Sequence, residues 1–407
     1  MKINFLNKKI LKNFSFLTVF QFFNLALPLV VLPYLIDTLG KSLYGMYVYS
    51  QAILSFFTLL INFGFNIYAV KEIAENRNNN NRLNSIVSSI YSAKLVLLLT
   101  SGVFLLFTIF LIPEISNHKY LYIIGFLMCI GEFFMPMWFF QGLSDLKTFT
   151  YSNVIIKLFF TCSIFFVIKS SNDLYLVPLI FGLNALFSSL FGFCLMIKKY
   201  KIRFVRSQMK NIYGFFKKSY PFFFSRASSV IMTRSNSVLI GTFLGYNWVA
   251  IYDILEKIVG ALLIPFNLLN QSSYPAIAEK KDLKLFNKVF KISLISSLAI
   301  YLLLLMTGEV IFSILSGATL ERSNYYYLIY YGLLIPIVNI IYQLTTLLIV
   351  KNKNKYYSKS LIYSLLVYIL GVIIIYYFNV ISLFTIISVK LFADVSNILI
   401  MLQYNKK

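Results

Sequence analysis

The sequence predicts an all-α membrane protein with about twelve transmembrane helices, arranged as two six-helix lobes. Hydrophobic residues make up 59% of the 407 residues and charged residues only 13%, which is too few for the surface of a water-soluble globule. Long apolar stretches recur along the whole chain, each near or above the ~20 residues that cross a bilayer as a helix. Basic residues cluster in alternate connections between these stretches.

Charged and turn-forming residues separate the apolar stretches into twelve predicted spans. The first span contains Pro28 and Pro33, and it is too long for a secretory signal peptide and lacks a small-residue cleavage site. We therefore expect it to be the first transmembrane helix. The predicted spans cover residues 14–36, 43–69, 85–112, 119–142, 149–168, 174–197, 213–243, 247–272, 288–315, 324–350, 357–378 and 380–404.

The distribution of lysine and arginine predicts the orientation in the membrane. The connections on the side of the N-terminus hold 27 basic residues, whereas the opposite set holds only Lys41, Lys119, Lys169 and Arg322. We expect the basic set, and both chain termini with it, to face the cytoplasm. This asymmetry also explains the net charge of +23, so we expect no nucleic-acid partner.

The longest basic connection, residues 198–212, divides the chain into a predicted N-lobe of residues 1–200 and a C-lobe of residues 201–407. A parallel repeat is expected when an even number of spans is duplicated. Short motifs between the first two spans recur at a constant offset of 205 residues: Leu39-Gly40, Gly45 and Tyr47 match Leu244-Gly245, Ala250 and Tyr252. This pattern predicts a two-lobed transporter.

Ionisable side chains inside spans are costly unless they face a wet cavity or a partner. Four basic residues are candidates for binding an anionic substrate: Arg226, Arg234, Lys157 and Lys94. Arg226 and Arg234 lie eight residues apart on one predicted helix and can line one cavity wall. A guanidinium group pairs two phosphate oxygens through its planar fork. The alternative for Lys94 is that its stem reaches out to the membrane interface.

The other intramembrane charges are candidates for ion coupling or gating. Asp253 and Lys257, and likewise Lys390 and Asp394, have the i, i+4 spacing of pairs that neutralise each other within one helix. Such pairs are either structural only, or they break and re-form between two access states. Glu132 and Glu256 are the better proton carriers, since burial disfavours the charged form of a carboxylate.

Several motifs carry a resemblance to a known family. They are Leu27-Pro28, Leu32-Pro33-Tyr34, Leu39-Gly40, Tyr44-Gly45, Phe63-Gly64-Phe65-Asn66, Ala69-Val70-Lys71-Glu72-Ile73-Ala74, Pro136-Met137-Trp138-Phe139-Phe140-Gln141-Gly142-Leu143, Arg234-Ser235-Asn236, Leu239-Ile240-Gly241 and Tyr252 with Glu256-Lys257-Ile258. Together they resemble the Wzx-type flippases, the polysaccharide-transporter branch of the multidrug/oligosaccharidyl-lipid/polysaccharide (MOP) exporters. That family usually has an acidic residue directly after the Gly-Leu pair, whereas here Ser144 precedes Asp145.

The resemblance implies a lobed fold with inward-open and outward-open states, related to multidrug and toxin extrusion transporters. It implies translocation of an undecaprenyl-diphosphate-linked oligosaccharide across the bacterial inner membrane, from the cytoplasmic to the periplasmic leaflet, for the synthesis of O antigen, capsule or exopolysaccharide. The expected partners are this lipid-linked substrate, membrane lipids, and polysaccharide polymerase and chain-length machinery.

Two other classes of function are open. A multidrug or toxin exporter of the same superfamily would favour carboxylates in its cavity, and the excess of basic groups in the spans argues against it. A membrane-embedded polysaccharide polymerase or glycosyltransferase would need a sizeable loop for its catalytic groups, whereas the longest connections have only about 15 residues. Because we find no phosphate loop, catalytic triad or metal motif, we expect neither an enzyme nor a cofactor.

Overall fold

The computed structural model describes residues 2–280, 283–316 and 324–406, and the regular structure within them is helical. A short 3-10 helix, Ser171–Tyr175, precedes α10. The α-helices are α1 (Lys2–Leu39), α2 (Lys41–Asn62), α3 (Phe65–Glu75), α4 (Asn80–Leu111), α5 (Pro113–Asn117), α6 (Lys119–Gly125), α7 (Leu127–Phe134), α8 (Met137–Leu143), α9 (Lys147–Val167), α10 (Leu176–Tyr200), α11 (Met209–Phe243), α12 (Tyr246–Lys280), α13 (Leu283–Ser316), α14 (Tyr325–Gly332), α15 (Leu334–Val350), α16 (Asn354–Tyr377) and α17 (Leu383–Lys406).

Ten helical segments in the described ranges are long and apolar enough to cross a membrane, so the chain is a multi-pass membrane protein. They are Ser15–Leu39, Lys41–Glu75, Asn80–Leu111, Lys119–Leu143, Lys147–Val167, Ser171–Tyr200, Leu283–Ser316, Tyr325–Val350, Lys355–Tyr377 and Leu383–Asn405. Helices α11 and α12 have 35 residues each, which is long enough to span, but they carry five of the predicted intramembrane charges. The count of twelve spans depends on these two helices and stays a prediction.

Two of the interrupted spans, 43–69 and 119–142, contain motifs of the family resemblance. Phe63 and Gly64 separate α2 from α3 with φ angles of 42° and 74°. Pro136 separates α7 from α8, because it has no N–H to continue the helical hydrogen bonds. Two of the motifs that carry the family resemblance therefore include helix breaks.

The helices pack into two compact units. The first unit comprises Met1–Leu27 and Ser50–Val230, and the second comprises Pro28–Tyr49 and Ile231–Lys407. The boundaries fall inside α1, α2 and α11, at Pro28 in the first case. The division into lobes 1–200 and 201–407 stays a prediction.

The core of the first unit brings two of the sequence motifs together. Trp138, Phe139 and Phe140 of α8 are at most 1% exposed and pack in one cluster with α3. A Cβ atom at Gly142 would lie 2.7 Å from the side chain of Ile73, so the absence of a side chain permits this close helix contact. The α3 and α8 motifs are thus two sides of one packing interface.

The second unit contains two corners that the sequence repeat aligns. The α1–α2 corner turns at Gly40 with a φ of 81°, and the α11–α12 corner turns at Gly245 with a φ of 94°. Both angles lie in the left-handed region that glycine adopts without strain. The match at an offset of 205 residues therefore extends from residue type to backbone conformation.

A close backbone contact joins α2 to α12 in the same unit. A Cβ atom at Gly45 would lie 1.8 Å from the backbone oxygen of Tyr246 and 3.2 Å from the backbone nitrogen of Ala250. At Gly40, by contrast, an added Cβ would meet no atom within 4 Å. The two glycines thus serve different purposes, one steric and one conformational.

We predict that Gly45→Ala lowers the thermal stability of the solubilised protein more than Gly40→Ala does. The first change forces two helices apart and should cost about 2–3 kcal/mol, whereas the second imposes only a left-handed alanine, at about 1–2 kcal/mol. Thermal unfolding in one detergent compares the two variants. Equal melting points would show that α2 and α12 do not need this close approach.

Candidate functional site

A cavity of about 160 Å³, lined by both polar and apolar residues, lies in the first unit. Helix α9 contributes Asn153 and Lys157, and α10 contributes Asn184 and Ser188. The other lining residues are Phe20, Phe23, Asn24, Met135, Val154 and Ala185. The cavity therefore combines one ammonium group, three amides and a hydroxyl with two aromatic rings. The helices that contribute these groups are otherwise largely apolar.

Lys157 is held in this cavity by Asn24 of α1. Its Nζ atom donates to Asn24 Oδ1 at 2.6 Å and to the backbone oxygen of Asn24 at 3.3 Å. That carbonyl would normally accept from the N–H four residues later, but residue 28 is a proline and has none. Lys157 thus supplies a donor to a backbone group that Pro28 leaves without one.

No carboxylate among the described residues lies within 4.0 Å of the Lys157 ammonium group. The other membrane-embedded lysines of the predicted site, Lys94, Lys257 and Lys390, each have a carboxylate oxygen within that distance. A half-buried cation without a counter-ion is costly in a membrane protein, and it favours an anionic ligand. Lys157 is the predicted substrate-binding residue whose surroundings suit an anion best.

Lys94 has a different environment. Its side chain is 0% exposed, and its Nζ atom donates to the backbone oxygen of Glu132 at 2.8 Å and lies 4.0 Å from Glu132 Oε1. The Glu132 carboxylate also accepts from Asn62 Nδ2 at 2.7 Å. Because Pro136 lies four residues after Glu132, Lys94 satisfies the carbonyl that this proline leaves free. The ammonium group is buried rather than at the interface, and its role in substrate binding stays a prediction.

A double-mutant cycle checks the link between Lys94 and Pro136. We expect Lys94→Met to destabilise the protein by about 2–3 kcal/mol, because it removes a charged donor from a buried carbonyl. In a Pro136→Ala background the new N–H at position 136 can bond the same carbonyl, so the loss should shrink by about 1 kcal/mol. Thermal unfolding of the four proteins measures the coupling, and strict additivity would contradict it.

The two predicted arginines fall in different units. Arg226 belongs to the first unit and is exposed, and it forms no ion pair with any residue that the structure describes. Arg234 belongs to the second unit, where its Nη1 atom lies 3.3 Å from Glu256 Oε2. Glu256 therefore has a basic partner on a neighbouring helix. The prediction that both arginines line one cavity wall stays a prediction.

A cluster of two buried residues and one partly exposed lysine joins α2 to α12. The Tyr44 hydroxyl donates to Asp253 Oδ2 at 2.5 Å, and Lys257 Nζ donates to the same carboxylate oxygen and to the Tyr44 hydroxyl, each at 2.6 Å. Tyr44 is 1% exposed and Asp253 is 6% exposed. The predicted Asp253–Lys257 pair is thus part of a three-way contact, which we call the Tyr44 cluster.

The second i, i+4 pair lies on α17. Lys390 Nζ contacts both Asp394 oxygens, at 3.0 and 2.8 Å, and both residues are buried. The pair is neutral as a unit, which explains how it tolerates burial. Its proposed part in gating or ion coupling stays a prediction, as do those of Glu132 and Glu256.

Comparison with known families agrees with this architecture. The profile of the family described as "Polysaccharide biosynthesis protein" matches residues 10–281. The chain belongs to this family. The resemblance to Wzx-type flippases that the motifs predicted is thereby confirmed.

Relatives of the chain include two proteins named "Putative O-antigen transporter". The one from Escherichia coli K12 is 24% identical over 66% of this chain and 64% of its own length. The one from Shigella dysenteriae is 25% identical over 68% of this chain and 70% of its own length. The chain therefore matches about two thirds of each of these relatives.

Solved structures show that this family member has the fold of MOP-superfamily transporters. It is similar to the lipid II flippase MurJ in an inward closed conformation, with a TM-score of 0.74, 16% identity, and coverage of 97% of this chain and 87% of that one. It is also similar to an inward-facing multidrug resistance MATE family transporter, with a TM-score of 0.64, 14% identity, and coverage of 95% and 94%. At these identities the likeness concerns the fold alone.

Several residues of the site are neutral and were not predicted. Asn24, Asn153, Asn184 and Ser188 complete the Lys157 cavity, and Tyr44 completes the cluster on α12. The prediction weighed only ionisable side chains inside the spans. Asparagines within otherwise apolar spans carry a similar, weaker signal, because an amide buried in a membrane also needs a partner.

Proposed function

We propose that the protein is a flippase for undecaprenyl-diphosphate-linked oligosaccharide repeat units. It would move them from the cytoplasmic to the outer leaflet of the bacterial inner membrane by alternating access. The observation that carries the proposal is the Lys157 cavity, in which the only charged lining residue is a cation and amide and hydroxyl groups lie beside apolar side chains.

The chemistry of this cavity suits part of a phosphorylated glycan. The Lys157 ammonium pairs with phosphate oxygens, and the amides of Asn153 and Asn184 can both donate to and accept from sugar hydroxyls. The rings of Phe20 and Phe23 provide apolar faces beside them. At about 160 Å³ the cavity is smaller than the ~300–1,000 Å³ of sites for drug-sized ligands, so it would hold one group of the substrate.

Other features fit the same function. Arg226 and Arg234 would extend the cationic surface along the substrate path. The Tyr44 cluster and the Lys390–Asp394 pair would break and re-form between the two access states. The names of the relatives, two O-antigen transporters and a lipid II flippase, support a lipid-linked glycan as the cargo.

The test is translocation in proteoliposomes. A fluorescent undecaprenyl-diphosphate oligosaccharide is added to the outer leaflet, and an added glycosidase then measures how fast the glycan becomes protected. We expect protection to develop with the protein and not in protein-free liposomes. In parallel, the same vesicles are assayed for transport of a cationic dye. Dye transport without glycan translocation would overturn the proposal in favour of a multidrug exporter.

A further inference from the structure

A second cavity of about 190 Å³ lies in the first unit, formed by α3, α4 and α11. It opens beside the connections that the charge distribution predicts to be cytoplasmic. Its lining residues are Tyr68, Glu72, Arg82, Ser85, Ile86, Lys210, Asn211, Gly214, Phe215 and Lys218. They share no residue with the Lys157 cavity, and neither the family resemblance nor the proposed function assigns them a role.

The cavity carries a net positive charge that its own residues leave uncompensated. Its single carboxylate, Glu72, is already engaged, because it accepts from the Tyr68 hydroxyl and lies 3.8 Å from Lys218 Nζ. Arg82 and Lys210 are exposed and form no ion pair with any residue in the described ranges. Two cations therefore remain available to a ligand.

The local backbone adds to this positive potential. Arg82 lies in the first turn of α4 and Lys210 in the first turn of α11. The start of a helix carries partial positive charge from N–H groups that have no intrahelical partner. The Ser85 hydroxyl on α4 and the Asn211 amide on α11 are further donors that line the cavity. An anion with several acceptor oxygens matches this set better than a single carboxylate does.

Open space lies in front of Gly214, which lines the cavity. A Cβ atom at this position would meet nothing within 4 Å, so the space in front of α11 is free of protein atoms there. A larger side chain would fill the space without changing the charge. The site can therefore be blocked in two independent ways.

We propose that this cavity is a phosphate-binding site at the cytoplasmic surface of the membrane. Two sources offer this chemistry, the headgroup of an anionic phospholipid and soluble phosphate or diphosphate. The site is independent of the proposed transport function, because it would bind ordinary lipid or free anion whatever the cargo is.

The experiment measures ligand binding to the full chain in a neutral detergent. Phosphatidylglycerol, phosphatidylcholine and inorganic diphosphate are each titrated against the melting temperature, and native mass spectrometry counts the lipids retained. Two variants disable the site, Arg82→Gln/Lys210→Gln by charge and Gly214→Leu by volume. The control, Arg203→Gln/Arg206→Gln, removes two exposed charges from the adjacent connection.

We expect the wild type to bind phosphatidylglycerol or diphosphate in preference to phosphatidylcholine, and both site variants to weaken that binding about tenfold or more. The control should stay within about twofold. A selective response to phosphatidylglycerol identifies the lipid as the source, and a response to diphosphate alone identifies a soluble anion. Equal losses in the site variants and the control, or no preference for either anion in the wild type, would overturn the proposal.

Discussion

Replacing Lys157 with glutamine should slow glycan translocation about ten- to hundredfold while leaving the protein folded. Glutamine keeps an amide donor for Asn24, so the carbonyl that Pro28 leaves free should keep a partner. It removes the only cation of the cavity, and a hydrogen bond to a charged group is worth about 1.5–3 kcal/mol. A loss of that size in binding the moving substrate corresponds to about ten- to hundredfold in rate.

Two further variants make this result specific. Lys157→Arg keeps the positive charge and should retain much of the activity, whereas Lys169→Gln removes an exposed lysine outside the cavity and should have no effect. Initial rates of protection from the glycosidase, normalised to correctly inserted protein, provide the comparison. An unchanged rate for the glutamine variant would remove the cavity from the transport path.

Tyr44→Phe should loosen the contact between α2 and α12. We expect an approximately tenfold increase in the population of states in which the two helices separate. The substitution deletes one hydroxyl that takes part in two hydrogen bonds with charged groups, to Asp253 and from Lys257. The Asp253–Lys257 pair itself survives, which limits the damage. Losing these bonds should cost about 1.5–3 kcal/mol, enough for at least a tenfold shift.

Cysteine labelling measures this opening. Ala250→Cys, in a background without the three native cysteines, places a thiol at a position that is 0% exposed and next to Gly45. Its rate of reaction with a water-soluble maleimide should rise about tenfold on Tyr44→Phe. Tyr49→Phe makes the same chemical change at a single neutral hydrogen bond to Thr242, so its effect should be smaller. Equal rates in all three backgrounds would mean that the cluster does not hold the helices together.

The sequence predicted the helical membrane fold well because length and apolarity are local properties. Ten of the expected spans meet both criteria, and the two exceptions, α11 and α12, carry five of the predicted intramembrane charges. The interruptions at Gly64 and Pro136 were less visible. A break of one or two residues does not change the mean hydropathy of a span, although glycine and proline mark where it can occur.

The ionisable residues of the site were predicted, but most of their partners were not. Helical spacing reveals pairs on one helix, such as Lys390 with Asp394. Arg234 and Glu256 are 22 positions apart, and Tyr44 and Asp253 are 209 apart. Such contacts depend on how helices pack, and no local pattern in one sequence encodes that. The neutral amides around Lys157 were missed for the additional reason that they carry no charge.

Lys157 donates a hydrogen bond to the Asn24 carbonyl that Pro28 leaves free. Binding of an anion to Lys157 is therefore coupled to the geometry of α1. An ammonium group has three protons, and two of them already serve Asn24. An anion that draws the ammonium towards itself weakens the hydrogen bond from Lys157 to the Asn24 carbonyl. Conversely, a change in the geometry of α1 changes the position of the ammonium group that binds the anion. By reciprocity, any α1 geometry that strengthens anion binding must itself be favoured by the anion to the same extent.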